Sequence, residues 1–203
     1  MSLTAPPTIA NTVLLVRHAA TSWTGRRWCG RADPPLTADG QRAARRLAGD
    51  LRAELAMSGA GTPGSPPFVL LVSPARRARQ TAAPIEASFG VLAELEPDLI
   101  EVDVGDAEGL DWPALQVRFP SVGEAIGRGA QPDWPGGETR IDVEHRASRA
   151  ADRIRTAALH RPVLVVAHGA ILHAISVQLV GDVAALAALG PTEFLRLDPV
   201  ASR

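Results

Sequence analysis

Two histidines stand about 150 residues apart in this 203-residue chain, each at the end of an apolar run. His18 follows Val13-Leu14-Leu15-Val16 and Arg17, and His168 follows Val163-Leu164-Val165-Val166-Ala167. A third run, Phe68-Val69-Leu70-Leu71-Val72, leads into Ser73-Pro74, with Arg76, Arg77 and Arg79 just beyond. Short continuous runs rich in β-branched residues fit strands buried on both faces, as in a parallel sheet. Ligands of open α/β sheets bind outside the carboxyl ends of the strands, so two imidazoles and at least one guanidinium are expected to converge on one rim. Such a set suits a phosphoryl dianion. Arg offers fixed bidentate donors to phosphate oxygens, and phosphoryl transfer rests mostly on positioning and charge stabilisation. A nucleophilic His adds a route through a covalent intermediate that water then hydrolyses.

The elements that must position these groups are legible from periodicity. Ala44, Leu47, Leu51 and Leu55 recur at helical spacing, with Arg42, Arg45, Arg46 and Arg52 placed for solvent and Thr37 as N-cap. The Gly/Pro/Ser stretch Ser58–Pro67 ends that helix. Ser73-Pro74 is read as the start of the next, the hydroxyl capping and Pro in the first helical position. A third helix is expected from about Glu138 to Leu159, with Val143, Ala147, Ala150, Ile154 and Ala157 on one face, and a fourth from Gly169 through about Leu179. Phe194–Leu197 reads as a last strand. This alternation predicts an α/β fold, a three-layer sandwich with a mainly parallel central sheet. One domain spanning 1–203 is expected, with residues 1–11 as a loose leader. The stretch of about 97–137, rich in Gly, Pro, Trp and acidic residues, breaks the rhythm and reads as a small cap insertion over one end of the sheet.

Composition narrows the chemistry further. A net charge of -1 argues against general nucleic-acid binding. All 21 basic residues are Arg, and Lys and Tyr are both absent, which removes Schiff-base and P-loop lysines and phenolic nucleophiles. The histidines do not fall in an H-E-x-x-H pattern and Cys29 is the only cysteine, so neither a metal site nor any cofactor is expected. The lone cysteine asks for no oxidising compartment, and the first apolar run is too short for a signal peptide or membrane span. A cytoplasmic location is expected, without nucleic-acid or membrane partners; the oligomeric state stays open.

Arg17-His18-Ala19-Ala20-Thr21 with Trp23 resembles the R-H-G-E-T-x-W signature of the histidine phosphatase superfamily, whose other branch includes the cofactor-dependent phosphoglycerate mutases. The likeness continues in order. Gly30 to Asp33 with Pro35-Leu36-Thr37, Gly40 and Gln41 resembles G-x-x-D-x-P-L-T-x-x-G-x-Q. Ser73 to Ala82 is similar to S-x-L-x-R-A-x-Q-T-A, and Glu101 with Gly105 to Gly109 to E-x-x-x-G-x-x-E-G. Pro135 to Thr139 and Val166 to Gly169 complete a series spanning about residues 13 to 175.

The resemblance implies a metal-independent phosphomonoesterase acting on a small phosphorylated metabolite through a phosphohistidine. It implies His18 as nucleophile and Arg17, Arg77 and His168 as holders of the phosphoryl oxygens. The motif singles out Arg77 because Ala78, Gln80 and Thr81 follow it. Glu101 falls on the family's proton donor, with Asp103, Asp106 and Glu108 close enough to trade roles, and Thr24, Gly30 and Gly169 are expected to contact substrate. The chain departs from the pattern at Ala19 and Ala20, which replace Gly-Glu, and at Thr24, where many members have Asn. His145, His160 and His173, and Arg76 and Arg79, are expected to be structural or exposed, and the four Trp either line the pocket mouth or pack. Three alternatives accompany the hydrolase reading: an α-ribazole-phosphate-type phosphatase of cobalamin synthesis, a mutase, and a non-catalytic phospholigand-binding module. Val104 stands where the mutase branch has Tyr and the chain has no Lys, which disfavours the mutase.

Overall fold

The computed structural model describes residues 12–57, 67–181 and 189–197. The leader at 1–11 and the Gly/Pro loop at 58–66 lie outside these residues. The three apolar runs form parallel strands β1 (Val13–Arg17), β2 (Val69–Val72) and β4 (Val163–Ala167). Two further strands complete a five-stranded sheet of order β3-β2-β4-β1-β5. The short β3 (Ala93–Leu95), which carries no clear strand pattern, extends the parallel set, and β5 (Phe194–Leu197) pairs antiparallel with β1 at the other edge.

Alternation along the buried strands divides the core in two. Leu14, Val16, Leu70, Val72, Leu164 and Val166 face one side, where they meet α1 (Ala38–Met57) and α2 (Arg76–Phe89). Val13, Leu15, Leu71, Val163, Val165 and Ala167 face the other, against α5 (Arg140–Ala158) and α6 (Gly169–Val180). These are the three layers expected. Every residue of β2 and β4 is buried, and a fully buried Val or Leu side chain contributes about 1.5–3 kcal/mol relative to exposure.

One expectation about helix starts changes. Helix α2 begins at Arg76, not at Pro74, and its N-cap residue Ala75 has no capping side chain. The Ser73 hydroxyl accepts only a long bond from the Ala75 N–H, 3.3 Å, while Asp33, from a distant loop, accepts the N–H groups of Arg76 at 2.6 Å and Arg77 at 3.3 Å. Helix α5 starts after Thr139, which forms a capping box with Asp142. Thr37 does cap α1, accepting the Gly40 N–H at 3.0 Å.

The segment over the sheet's carboxyl edge holds α3 (Trp112–Arg118) and α4 (Pro120–Gly127), together with 3-10 turns at Pro97–Leu99 and Gly105–Ala107. Glu101 therefore follows a 3-10 turn and not a strand. Leu99, Val102, Ala107, Leu115, Val122 and Trp134 join the core of α5 and α6, so this segment is packed into the fold.

Candidate active site

His18, Ser73 and His168 follow the carboxyl ends of β1, β2 and β4, which are neighbours in the sheet. The ladder continues past the strands, with His18 N–H donating to the Ala167 carbonyl at 2.9 Å and Ser73 N–H to that of Val166 at 3.0 Å. The two imidazoles are thereby held edge to face, 5.0 Å between centroids. The turn after His18 needs no glycine. Ala19 is fully buried, donates its N–H to Thr81 Oγ1 at 2.9 Å, and has no positive φ.

The protonation of both rings follows from their partners. His18 is 7% exposed and its Nδ1 lies 2.8 Å from the Ala19 carbonyl oxygen, which can only accept. Nδ1 thus carries the proton, and Nε2 presents a lone pair. Burial is the largest influence lowering the His18 pKa, from 6.5 to about 3; the Ala19 bond opposes it, Arg77 and Arg17 lower it further, and Asp33 raises it. His168 is wholly buried, accepts from Arg77 Nε at Nδ1, 3.1 Å, and so donates from Nε2 to Ser73 Oγ, 2.7 Å. Burial, followed by the charge of Arg77, pushes its pKa well below the usual value.

Arg77, 1% exposed, is engaged almost completely. Besides Nε, its Nη1 donates to the Ala32 carbonyl at 2.8 Å and to Asp33 Oδ1 at 3.3 Å, and its Nη2 to the Gly30 carbonyl at 3.0 Å. Of five N–H groups, one on Nη2 has no partner among the described residues. Arg17 differs. Nη1 is anchored to the Leu189 carbonyl at 2.9 Å, whereas the buried Nε has no partner among the described residues.

Glu101, 9% exposed, lies at the start of α6. Its Oε1 accepts the N–H groups of Val102 (3.0 Å) and Ile171 (3.1 Å), and its Oε2 that of Ala170 (3.3 Å). Arg17, His18 and Glu101 open onto a cavity of about 340 Å³. Among the described residues Glu101 is the only carboxylate lining it; neither Asp103 nor Asp106 does. Thr24 and Gly169 also line it, whereas Arg77, His168 and Gly30 do not.

Gly30, expected to contact substrate, lies off this cavity and is tied to the protein itself. Its N–H donates to Glu108 Oε1 at 2.9 Å and its carbonyl holds Arg77. A Cβ there would lie 2.5 Å from the Val102 carbonyl oxygen, so a glycine is needed for the chain to pass. Thr24 Oγ1 accepts the Thr21 N–H at 2.9 Å and holds the turn that carries Trp23. The Cys29 thiol also lines the cavity, but burial, its largest influence, raises its pKa to about 11, and it donates to the Ala32 carbonyl at 3.2 Å.

Four further residues support the site, and of these only Glu108 is expected from the sequence to have a role, as an alternative to Glu101. Asp33 caps α2 and touches Arg77. Glu108 gathers the N–H groups of Gly30, Arg31 and Ala32 within 3.1 Å. Arg146, on α5, donates to the carbonyls of Asp98 (2.8 Å) and Ile100 (2.6 Å) and pairs with Glu138 at 2.8 Å. Glu138 in turn accepts the Asp103 N–H at 2.7 Å. Burial, the largest influence on Glu138, opposes its ionisation, but the bonds from Arg146 and Asp103 and the charges of Arg146 and Arg31 outweigh it and lower the pKa. Asp33, Glu108 and Glu138 fall inside the matched motifs. The available signal for Arg146 is its place three residues after Val143, on the buried face of α5.

The doubly wound sheet and the paired histidines at its carboxyl edge define an α/β protein with an anion-directed site. The chain belongs to the histidine phosphatase superfamily (branch 1), whose pattern matches residues 13–190. It is similar to the uncharacterized phosphatase PhoE of Bacillus subtilis (strain 168), 29% identical over 170 residues, 83% of this chain and 77% of that one. It spans 40% of a set of longer mycobacterial relatives, to which it is 31% identical. Among solved structures it is similar to a phosphoglycerate mutase from Thermus thermophilus, with TM-score 0.67, 28% identity and 92% of each chain covered. It is likewise similar to a mycobacterial glucosyl-3-phosphoglycerate phosphatase, with TM-score 0.70, 26% identity, and 92% of this chain and 89% of that one covered.

Proposed function

We propose that the chain is a metal-independent phosphomonoesterase that works through a phosphohistidine at His18. The observation that carries this reading is the tautomer of His18: its proton is held by Ala19, so Nε2 faces the site as a neutral nucleophile at ordinary pH. Nε2 attacks phosphorus, the bond to the leaving oxygen breaks, and Glu101 delivers a proton to that oxygen. Water then attacks the phosphohistidine, Glu101 takes its proton back, and the N–P bond breaks to release phosphate. The Nε–H of Arg17, without a partner among the described residues, is a buried donor suited to an oxyanion. Arg77 contributes charge from behind His18 and its one remaining N–H. His168 holds Arg77 in place with both ring nitrogens engaged, so its expected contact with the phosphoryl group requires it to release Ser73.

Hydrolysis is favoured over the mutase reading by the wall at Val104 and the lack of Lys and Tyr, which leaves few groups to retain a second acid. The relatives' names differ in substrate, so none is carried over. A cytoplasmic setting fits the single cysteine; among the described residues no helix is long and apolar enough to cross a membrane.

One experiment tests the chemistry. With EDTA present, the enzyme is mixed with a ³²P-labelled aryl phosphate and quenched in alkali, which preserves phosphohistidine. Label is expected on the wild-type protein and absent from His18→Ala, which also loses turnover while keeping its circular dichroism. Wild-type turnover in His18→Ala, or activity that disappears on chelation and returns with zinc or magnesium, overturns the reading.

A further inference from the structure

All four Trp residues of the chain, Trp23, Trp28, Trp112 and Trp134, line the cavity that opens onto His18. They come from two segments far apart in sequence. Trp28, in the segment after β1, packs against both cap rings, 6.0 Å from the Trp112 centroid and 5.5 Å from that of Trp134. Val102 and Val104 extend the same apolar wall. A site of this volume is at the small end of the roughly 300–1,000 Å³ range of ligand pockets, so a phosphoryl group and one or two rings fill it.

Several polar groups along this wall are already engaged with the protein. Thr24 Oγ1 accepts from Thr21, the Cys29 thiol donates to Ala32, and Arg27 Nη1 donates to the Gly109 carbonyl at 3.1 Å. A polyol leaving group would strand its hydroxyls here, and unpaired buried polar groups are costly. Arg26 and Arg27 are exposed, at the rim, where their charges keep their water. The buried Nε1 of Trp134 has no partner among the described residues.

We infer that this wall is a leaving-group subsite for an aromatic alcohol, so that the preferred substrates are phosphate monoesters of ring-bearing, apolar alcohols and not of sugars or short hydroxy acids. The inference rests on the phosphatase reading above and adds the substrate class. Offset or edge-on stacking against indole rings supplies the affinity, together with apolar area removed from water.

Non-hydrolysable phosphonates separate the two readings, because binding is measured without turnover. Calorimetry compares methylphosphonate, 1-naphthylmethylphosphonate and 3-phosphonopropionate on the wild-type protein. The naphthyl compound is expected to bind at least about tenfold more tightly than the methyl one, and the propionate no more tightly than the methyl. Trp112 is 39% exposed, so its replacement is tolerated by the fold. Trp112→Ala should shrink the naphthyl-to-methyl affinity ratio, and Trp112→Phe should retain part of it. Equal affinities for the naphthyl and methyl compounds, a preference for the propionate, or an unchanged ratio in Trp112→Ala overturns the subsite while leaving the phosphatase reading intact. Failure of every phosphonate to bind overturns the anion site itself and the subsite with it.

Discussion

A carboxyl group that serves as general acid must hold its proton when the leaving oxygen departs. Glu101 meets the positional requirement, since among the described residues it is the only carboxylate on the cavity that Arg17 and His18 share. Its three N–H partners fix its direction without occupying a side-chain donor. Asp103 accepts the Gly105 N–H at 3.0 Å and, like Asp106 and Glu108, lies off the cavity. The expected signature is leaving-group dependence. Glu101→Gln should slow hydrolysis of alkyl phosphates by roughly 10²–10⁴-fold, while aryl phosphates with acidic leaving groups lose much less. Steady-state rates across a series of leaving-group pKa values check this, and equal losses would give Glu101 another role.

At the scale of elements, helix α5 sets the position of that carboxylate. Arg146 holds the Asp98 and Ile100 carbonyls just before Glu101, and its partner Glu138 holds the Asp103 N–H just after it. The segment around Glu101 is thus braced on both sides by one partly buried ion pair. Removing one partner of a fully buried pair costs about 3–5 kcal/mol because the other charge is left uncompensated, and a partly buried pair such as this costs less. Arg146→Met should therefore lower the denaturation midpoint. Arg146→Lys keeps the charge but lacks the planar fork that spans two carbonyls and a carboxylate, so it should stay folded with a lower kcat and a smaller change in KM. Denaturant titration and steady-state kinetics on the two variants test the brace. An unchanged kcat in a folded Arg146→Lys would show that the pair serves stability alone.

For the whole molecule, burying two neutral imidazoles ties folding to pH. The unfolded chain protonates both near the ordinary histidine value of 6.5, whereas native His18 resists until about 3 and His168 is also lowered. Between those limits the unfolded state binds more protons, so stability falls as pH drops below about 6.5, by up to about 1.4 kcal/mol per pH unit for each histidine. The lowered pKa of Glu138 adds a loss of the same sign further into acid. Urea midpoints measured from about pH 7.5 down to 5 should decline, and His18→Asn should flatten the slope by removing one titrating group. A flat profile in the wild type would show that the rings are not held neutral.

By itself the sequence determined the periodic parts of this protein. The apolar runs of β1, β2 and β4, the buried faces of α1 and α5, and the placement of Arg17, His18 and His168 at strand ends all follow from local spacing, which hydrophobic burial reads directly. The order of six motifs pointed to Arg77 among three clustered arginines and to Glu101 among several nearby carboxylates. Tertiary structure alone decided what each of these groups can do. Strand order brings the Val166 and Ala167 carbonyls beside Ser73 and His18. The acceptors that set each histidine's tautomer, and the carbonyls that engage Arg77, are brought into place only by the folded chain. Asp33, not Ser73, caps α2 because a turn some 40 residues earlier reaches its first N–H groups. The four Trp become one wall only once the segment between α2 and α5 packs over the turn after β1. Periodicity records which side of an element is buried; it carries no information about which distant polar atom meets it there, and hydrogen bonding and charge in the folded chain settle that.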